Sequence, residues 1–261
     1  MDRIAFCRRL AEEAGRLAHT GFRALGTTMS MKGRHDVLTE WDARVEHFVR
    51  ESIANAFGHD AILGEEGGVS GALQAEHVWV VDPIDGTANY ARGIAHYCVS
   101  IGLLRGGRPW AGAIHDPAHE RLYWAAEGQG AWLGEQRMAV SPCAALAEAT
   151  VECGWSTRRP TADYLSMVGR VFESGCAMRR AGSGALGLVD VAAGRTEGYC
   201  ELHINSWDCA AGLVLVREAG GFTNDFFAGD GLNSGNALIA TNAALGPALS
   251  RVIGIGPLMT K

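Results

Sequence analysis

The feature that most constrains the fold is a short apolar run at residues 77–81 that ends abruptly in Asp82-Pro83. A run this short, bounded by turn residues, is typical of a strand buried inside a sheet. Further runs of this kind, separated by turns that contain glycine or proline, lie at 99–104, 110–115 and 122–126. We therefore expect a set of buried strands in this part of the chain.

Helical periodicity appears on both sides of these strands. Helices are expected at 4–25, 42–57, 161–173, 185–193, 208–219 and 243–253, and one more strand at 237–240. Strands and helices mixed in this way over 261 residues predict a layered α/β (α+β) sandwich. We expect a single domain, 1–261, with an N-terminal α+β half to about residue 140 and a C-terminal α/β half at about 141–261.

Composition excludes several classes of protein. Hydrophobic residues make up 48% of the chain and charged residues 20%, so a chain that is mainly disordered is excluded. The net charge of −6 argues against a nucleic-acid-binding surface. The seven cysteines are scattered and form no CxxC pair, which predicts reduced thiols rather than disulfides or a zinc site. With no secretory signal and no apolar run approaching the ~20 residues that span a bilayer, we expect a cytoplasmic protein without a membrane partner.

Two aspartates at the end of the first strand are the first sign of chemistry. Asp82 and Asp85 stand three residues apart, with Pro83 between them and Gly86 after them. Two carboxylates held this close repel each other unless a cation compensates. A site made of carboxylates, without thiol or imidazole, selects a hard ion such as Mg²⁺. Considered alone, however, the segment fits a strand that ends in an ordinary Asp-Pro turn.

Three other polar segments each have a simple explanation when taken singly. Glu65 and Glu66 suit a solvated loop, and Asp208 suits the first turn of a helix, where it complements the helix dipole. A third segment, suited to capping the helix that follows it, contains Lys32, Asp36, Thr39 and Asp42.

Together the segments form an ordered series: K-x3-D-x2-T-x2-D, GEE, DPIDGT-x-N, WD-x-A-A-G and EAGG. This series, from about Lys32 to Gly221, resembles the inositol monophosphatase family of the lithium-sensitive, magnesium-dependent phosphatase superfamily. The resemblance implies a five-layered αβαβα fold, a homodimer, and hydrolysis of a phosphomonoester with two or three Mg²⁺ ions.

The resemblance also implies a set of metal ligands. Glu65, Asp82 and the main-chain carbonyl of Ile84 are expected to hold the first, tighter Mg²⁺ ion. Asp82, Asp85 and Asp208 are expected to hold a second ion that joins with the substrate. Paired ions of this kind lower the pKa of a water molecule and clamp the attacking and leaving oxygens.

The attacking water is expected to be oriented by Thr87 and Glu65, which with Asp82 make up the expected catalytic set. The resemblance assigns a weakly held third ion and the water network to the segment that contains Asp36, Thr39 and Asp42, and Lys32 to a loop beside it.

Substrate binding is expected at three places. The backbone N–H groups of Gly86 and Thr87, at a helix start, suit a phosphate dianion. Glu201 matches the position that accepts hydroxyls of the leaving alcohol, although a glutamate on an edge strand explains Glu201 equally well. Asp208 is expected to bind the substrate as well. The loop expected to line the same pocket is Gly182-Ser183-Gly184, and Trp155 is expected to narrow access to it.

The leading functional hypothesis is hydrolysis of inositol 1-phosphate or a related small polyol monophosphate. The alternative within enzymes is a histidinol-phosphate phosphatase. We expect no additional basic residues around Glu201, which disfavours bisphosphate and nucleotide substrates. A hypothesis of another class is a dimeric binding partner of RNA or the transcription machinery, although the acidic sequence argues against direct nucleic-acid binding. The four mutually repelling carboxylates argue against a purely structural role.

Overall fold

The computed structural model describes residues 1–24, 29–33 and 36–259, and it describes their side chains except at 29–33 and 36–38. The helices are α1 (Arg3–Arg23), α2 (Glu40–Ala56), α3 (Thr87–Tyr90), α4 (Thr161–Glu173), α5 (Gly184–Ala192), α6 (Ser206–Glu218), α7 (Gly231–Ser234) and α8 (Gly246–Ile253). Among the described residues, none of these helices is long and apolar enough to cross a membrane.

The strands fall into two large sheets and one small hairpin. The hairpin pairs β1 (Met29–Gly33) with β2 (Asp36–Thr39). Strands of the first large sheet are β3 (Ala61–Gly64), β4 (Gly68–Ser70), β5 (His77–Asp85), β6 (Cys98–Arg105), β7 (Arg108–Asp116), β8 (Arg121–Ala126), β9 (Gly130–Leu133) and β10 (Gln136–Met138). Strands of the second are β11 (Thr150–Cys153), β12 (Ala177–Arg179), β13 (Gly198–Ile204), β14 (Phe222–Asn224), β15 (Asn236–Thr241) and β16 (Leu258–Met259).

Both large sheets are mixed. The first has the order β10-β9-β8-β7-β6-β5-β3-β4 and is antiparallel except where β3 pairs with β5. The second has the order β12-β11-β13-β15-β14-β16, and its parallel pairs are β11 with β12 and β11 with β13. The pairing of β3 with β5 is important for the site, because parallel neighbours end at the same edge of a sheet.

Five layers are stacked in the order helix, sheet, helix, sheet, helix. The helices α1 and α2 cover the outer face of the first sheet, where Leu10 and Val49 pack with Trp79. The helices α5 and α6 lie between the sheets, and their buried faces share one core with β7 and β15. The helices α4 and α8 cover the outer face of the second sheet, where Met167 and Leu249 pack together. The expected αβαβα architecture is therefore confirmed.

The middle helix α6 lies unusually close to the first sheet. A Cβ atom placed on Gly102 would lie 2.7 Å from the Cβ of Ala210, and one placed on Gly112 would lie 2.6 Å from the Cα of Ala211. Any side chain at these two strand positions would push the helix away. The glycines thus fix the position of α6, whose first turn carries Asp208.

The strand predicted at 77–81 continues to Asp85, beyond the Asp-Pro pair. Its pairing with β6 shifts register between Asp82 and Asp85, and Pro83 lies inside this irregularity. Proline is tolerated in a sheet at such a bulge because no ladder hydrogen bond is required there. The bulge therefore lets one strand deliver two carboxylates to the same edge of the sheet.

Candidate active site

Three aspartates from distant parts of the chain converge at this edge. Asp82 and Asp85 come from β5, and Asp208 comes from the first turn of α6. Each contributes one carboxylate oxygen to a group in which all the oxygens lie within 4.8 Å of one another. Asp82 is 1% exposed and Asp85 8%, so water screens little of their mutual repulsion.

The electrostatics of this group show the cost of bringing the carboxylates together. Burial, followed by repulsion from Glu65, Asp85 and Asp208, raises the pKa of Asp82 well above its ordinary value. Burial and repulsion from Asp85 raise the pKa of Asp208 to about 7. A cation placed among the carboxylates would remove this repulsion, and the all-oxygen donors suit Mg²⁺.

Glu65 reaches the group because of the parallel pairing of β3 with β5. It directly follows β3, and its backbone N–H donates to the carbonyl of Val81 at 3.2 Å. The loop after it is held by Glu46 of α2, whose carboxylate accepts the N–H groups of Glu66 and Gly67, both at 2.7 Å. Sequence reasoning missed Glu46, because a lone glutamate inside a helical pattern carries no signal of this contact.

Thr87 joins the strand end to α2. Its hydroxyl lies 3.1 Å from Asp42 Oδ1 and 2.8 Å from the carbonyl oxygen of Ile84. The other oxygen of Asp42 accepts the backbone N–H of Thr39 at 2.8 Å, as part of the capping box at the start of α2. Asp42 is thus held as a helix cap and presented to Thr87 at the same time.

Asp85 lies at the N-terminus of α5. Its carboxylate accepts the hydroxyl of Ser183 and the backbone N–H groups of Gly184 at 3.2 Å and Ala185 at 2.8 Å. These bonds oppose the rise that burial causes in the pKa of Asp85. They bring the expected loop, residues 182–184, against the carboxylate group.

A cavity of about 260 Å³ opens beside the carboxylates. Asp85, Asp208, Gly86 and Thr87 line one part of it, and Glu201 lines another. Its remaining lining residues include Glu152, Gly154, Trp155, Arg180, Gly182, Ser183, Gly184, Tyr199 and Ile204. The site thus combines a group of carboxylates, two residues at a helix start and a pocket with polar walls.

Glu201 is buried in the wall of this cavity. It is 9% exposed, and the hydroxyl of Tyr199 donates to its Oε2 at 2.6 Å. Burial raises the pKa of Glu201 to about 7, although the bond from Tyr199 opposes the rise. The strand that carries it, β13, lies between β11 and β15, so the alternative of a glutamate on an edge strand is wrong.

Comparison with known proteins decides the family. The model of the inositol monophosphatase family matches residues 2–253. The chain belongs to this family. An inositol-1-monophosphatase of Mesorhizobium japonicum is 34% identical over 247 residues, which cover 93% of this chain and 92% of that protein.

Two further relatives carry a different name. A protein of Xylella fastidiosa named Nus factor SuhB is 39% identical over 232 residues, covering 85% of this chain and 83% of the relative. The crystal structure of the extragenic suppressor protein suhB of Bartonella henselae superimposes with a TM-score of 0.87 at 32% identity, covering 95% of this chain and 97% of that one. The relatives of this chain are therefore named either as inositol monophosphatases or as SuhB proteins.

The structure brings together most of the residues that the family resemblance singled out. Asp82, Asp85 and Asp208 form one group, and the charge of Glu65 acts on it. The side chains of Lys32 and Asp36 lie outside the described part of the chain. Asp208 also has the role at the start of a helix that its sequence position indicates. Its Oδ2 accepts the backbone N–H of Asn205 at 3.1 Å in the capping box of α6.

The expectation that no basic residue surrounds Glu201 is wrong. Arg180 lines the same cavity as Glu201, and both Arg180 and Arg158 oppose the rise in the pKa of Glu201. Both are distant from Glu201 in the sequence, which is why inspection of its neighbours did not reveal them. The available signal was the position of Arg180 two residues before Gly182, the first residue of the loop 182–184.

Proposed function

We propose that this protein is a Mg²⁺-dependent phosphomonoesterase that hydrolyses inositol 1-phosphate or a related small polyol monophosphate. The observation that supports this most strongly is the convergence of Asp82, Asp85 and Asp208 beside a cavity that also contains Glu201. Membership of the inositol monophosphatase family supports it independently.

The residues of the site fit Mg²⁺. Asp82, Asp85 and Asp208 offer carboxylate oxygens with raised pKa values, and such oxygens are suitable ligands for a hard cation. In this proposal Glu65, Asp82 and the Ile84 carbonyl hold one ion, while Asp82, Asp85 and Asp208 hold a second. When bound, the ions lower the pKa of water and neutralise charge on the phosphoryl group.

The protein's own groups orient the reactants. Asp42 is fixed by its capping bonds and accepts a hydrogen bond from Thr87, so the hydroxyl of Thr87 is held in one position. In the proposed reaction this hydroxyl orients the attacking water together with Glu65. The backbone N–H groups of Gly86 and Thr87, at the start of α3, donate to the phosphate oxygens.

The leaving alcohol occupies the part of the cavity lined by Glu201 and the loop 182–184. Its hydroxyls donate to Glu201, whose position is held by Tyr199. Ser183 holds Asp85 and lines the cavity, so it links the carboxylate group to the alcohol pocket. This arrangement suits a small polyol, because a buried carboxylate orients hydroxyl groups.

A side-by-side assay of phosphate release from inositol 1-phosphate and histidinol phosphate tests the proposal. We expect turnover of inositol 1-phosphate with Mg²⁺ and none with EDTA. Undiminished turnover in chelator would contradict the metal-dependent mechanism. Faster turnover of histidinol phosphate would favour the alternative phosphatase, for which the buried carboxylate of Glu201 offers a partner to the substrate's ammonium group.

The names of some relatives favour a second candidate of another class. Proteins named Nus factor SuhB are similar to this chain over most of its length. We propose as the second candidate that this protein binds the transcription machinery as a homodimer in the cytoplasm, without binding nucleic acid directly or associating with membranes. Co-purification with RNA polymerase by a variant that has lost phosphatase activity, Asp85→Asn, would separate this role from catalysis. Size-exclusion chromatography with light scattering tests the homodimer.

The proposed phosphatase is one domain, 1–261. The core around α5 and α6 supports this, because it joins Ile114 of the first sheet to Leu238 of the second. A single cooperative unfolding transition is the expected result, whereas two separate transitions would indicate independent halves.

A further inference from the structure

Arg180 directly follows the end of β12 and precedes Ala181, whose backbone is held by two hydrogen bonds. The backbone N–H of Ala181 donates to Glu152 Oε1 at 3.0 Å, and the carbonyl of Ala181 accepts from Asn89 Nδ2, also at 3.0 Å. Glu152 belongs to β11 of the second sheet, and Asn89 belongs to α3, which follows β5 of the first sheet. Ala181 is therefore bonded to elements on both sides of the site. The position of Arg180 beside the cavity is therefore set by the fold.

The side chain of Arg180 differs from that of its neighbour Arg179. Arg179 is an internal ion-pair partner, because its Nη1 lies 2.7 Å from Asp190 Oδ2 and its Nε lies 3.4 Å from Glu152 Oε2. The guanidinium of Arg180 makes no hydrogen bond or ion pair with any other described residue, and it lies 5.9 Å from the ring centroid of Trp155. Its N–H donors therefore remain available to a ligand in the cavity.

The lining of the pocket contains groups of opposite charge. Glu201 offers acceptor oxygens, while Arg180 offers donors and a positive charge on the same cavity. An alcohol that carries only hydroxyl groups uses the carboxylate wall and leaves the guanidinium without an ionic partner. A guanidinium pairs most strongly with a carboxylate or a phosphate, whose two oxygens match its planar fork.

We propose that Arg180 extends the substrate range of this site from uncharged polyol monophosphates to phosphomonoesters whose alcohol carries a second anionic group, such as a carboxylate, away from the ester. This inference rests on the proposed phosphatase function and names a substrate class for it. The ring centroid of Trp155, which also lines the cavity, lies 5.9 Å from the guanidinium, at the outer limit of a cation–π contact.

A matched pair of substrates isolates this effect. Glycerol 3-phosphate and 3-phosphoglycerate share a three-carbon skeleton and differ at the far carbon, which is an alcohol in one and a carboxylate in the other. We would measure kcat/KM for both with the Mg²⁺-loaded wild-type protein and with Arg180→Gln. We expect Arg180→Gln to lower the ratio of 3-phosphoglycerate to glycerol 3-phosphate by about tenfold, as expected for loss of one charge-assisted hydrogen bond.

Arg158→Gln is the matched control. Arg158 also acts on Glu201 through its charge, but its Nη1 donates to Asn205 Oδ1 at 2.8 Å, and it is not among the residues that line the cavity. We expect this variant to change the ratio less than Arg180→Gln does, and Arg180→Lys to retain part of the preference. If Arg180→Gln lowered kcat/KM equally for both substrates, or if Arg158→Gln changed the ratio as much as Arg180→Gln does, the role of Arg180 would be overturned. The proposed phosphatase function would be unaffected. Failure of the wild-type protein to hydrolyse either ester or inositol 1-phosphate would overturn the proposed function as well.

Discussion

The hydroxyl of Thr87 lies 3.1 Å from Asp42 Oδ1, although the two residues are 45 positions apart in the sequence. This contact joins the end of β5 to the capping box of α2. It gives Thr87 a fixed orientation next to the carboxylate group, which is the property that the proposed mechanism requires of it.

Replacing Thr87 tests this role. We expect Thr87→Ala to lower kcat by on the order of a hundredfold, the size of effect associated with a group that positions or moves a proton, while KM changes little. Thr87→Ser retains the hydroxyl and is expected to recover much of the rate. Steady-state kinetics on inositol 1-phosphate provide the measurement, and equal rates for the alanine and serine variants would show that the hydroxyl has no role.

Glu201 provides a test of the alcohol pocket. We expect Glu201→Gln to lower kcat/KM for inositol 1-phosphate by roughly ten- to a hundredfold, because a hydrogen bond to a charged group contributes about 1.5–3 kcal/mol. The kcat/KM for a small aryl phosphate, which has no hydroxyls to donate to Glu201, should fall much less in the same variant. The comparison is informative because both substrates share the phosphate and the metal ions. Equal losses for the two would mean that Glu201 has a structural role only.

The raised pKa of Glu201 has a consequence for stability. Its carboxyl has a pKa of about 7 in the folded protein, against an ordinary value of 4.5, so the folded state binds its proton more tightly than the unfolded state does. Its contribution to stability is therefore present below about pH 4.5 and is lost as the pH rises to about 7. The loss amounts to at most about 3 kcal/mol.

Thermal unfolding of the wild-type protein and of Glu201→Gln between pH 5 and pH 8 checks this relationship. Glutamine cannot ionise, so the variant should gain stability relative to the wild type as the pH rises. If the difference in unfolding temperature between the two proteins did not change with pH, the assigned direction of the pKa shift of Glu201 would be contradicted.

Lithium gives a test that does not require a variant. Li⁺ is similar in size to Mg²⁺ but carries half its charge, so we expect it to occupy the proposed second ion position after turnover. We expect uncompetitive inhibition of phosphate release with respect to substrate. Full phosphatase activity at high lithium concentration would contradict binding of Li⁺ at the proposed second ion position.

The sequence predicted the fold best where one type of periodicity dominates. The helix expected at 161–173 coincides with α4, because its apolar residues keep a regular helical spacing. The strands β11 to β14 were not predicted, since β11, β12 and β14 contain only three or four residues each. In β13 the buried Glu201 interrupts the apolar pattern. These strands are stabilised by pairing with partners that are distant in the sequence, which a local pattern does not record.

The candidate site was also predicted only in part. The family resemblance carried by the acidic motifs predicted that Asp82, Asp85 and Asp208 share one site, and the structure brings their carboxylates together. The contact between Asp42 and Thr87 and the position of Arg180 on the wall shared with Glu201 were not predicted. Both depend on how loops and helices from different layers pack around the cavity, and the only sequence signal for either is that Arg180 lies close to the loop 182–184.

The most direct test of the central claim is Mg²⁺ binding by titration calorimetry, which needs no substrate. We expect that the wild-type protein binds Mg²⁺ and that Asp82→Asn and Asp208→Asn, each of which removes a charge from the group, bind it much more weakly. Asp163→Asn, which removes an exposed carboxylate paired with Arg159, is the matched control and should bind as the wild type does. Equal Mg²⁺ affinity in all four proteins would contradict the claim that these aspartates form a metal site.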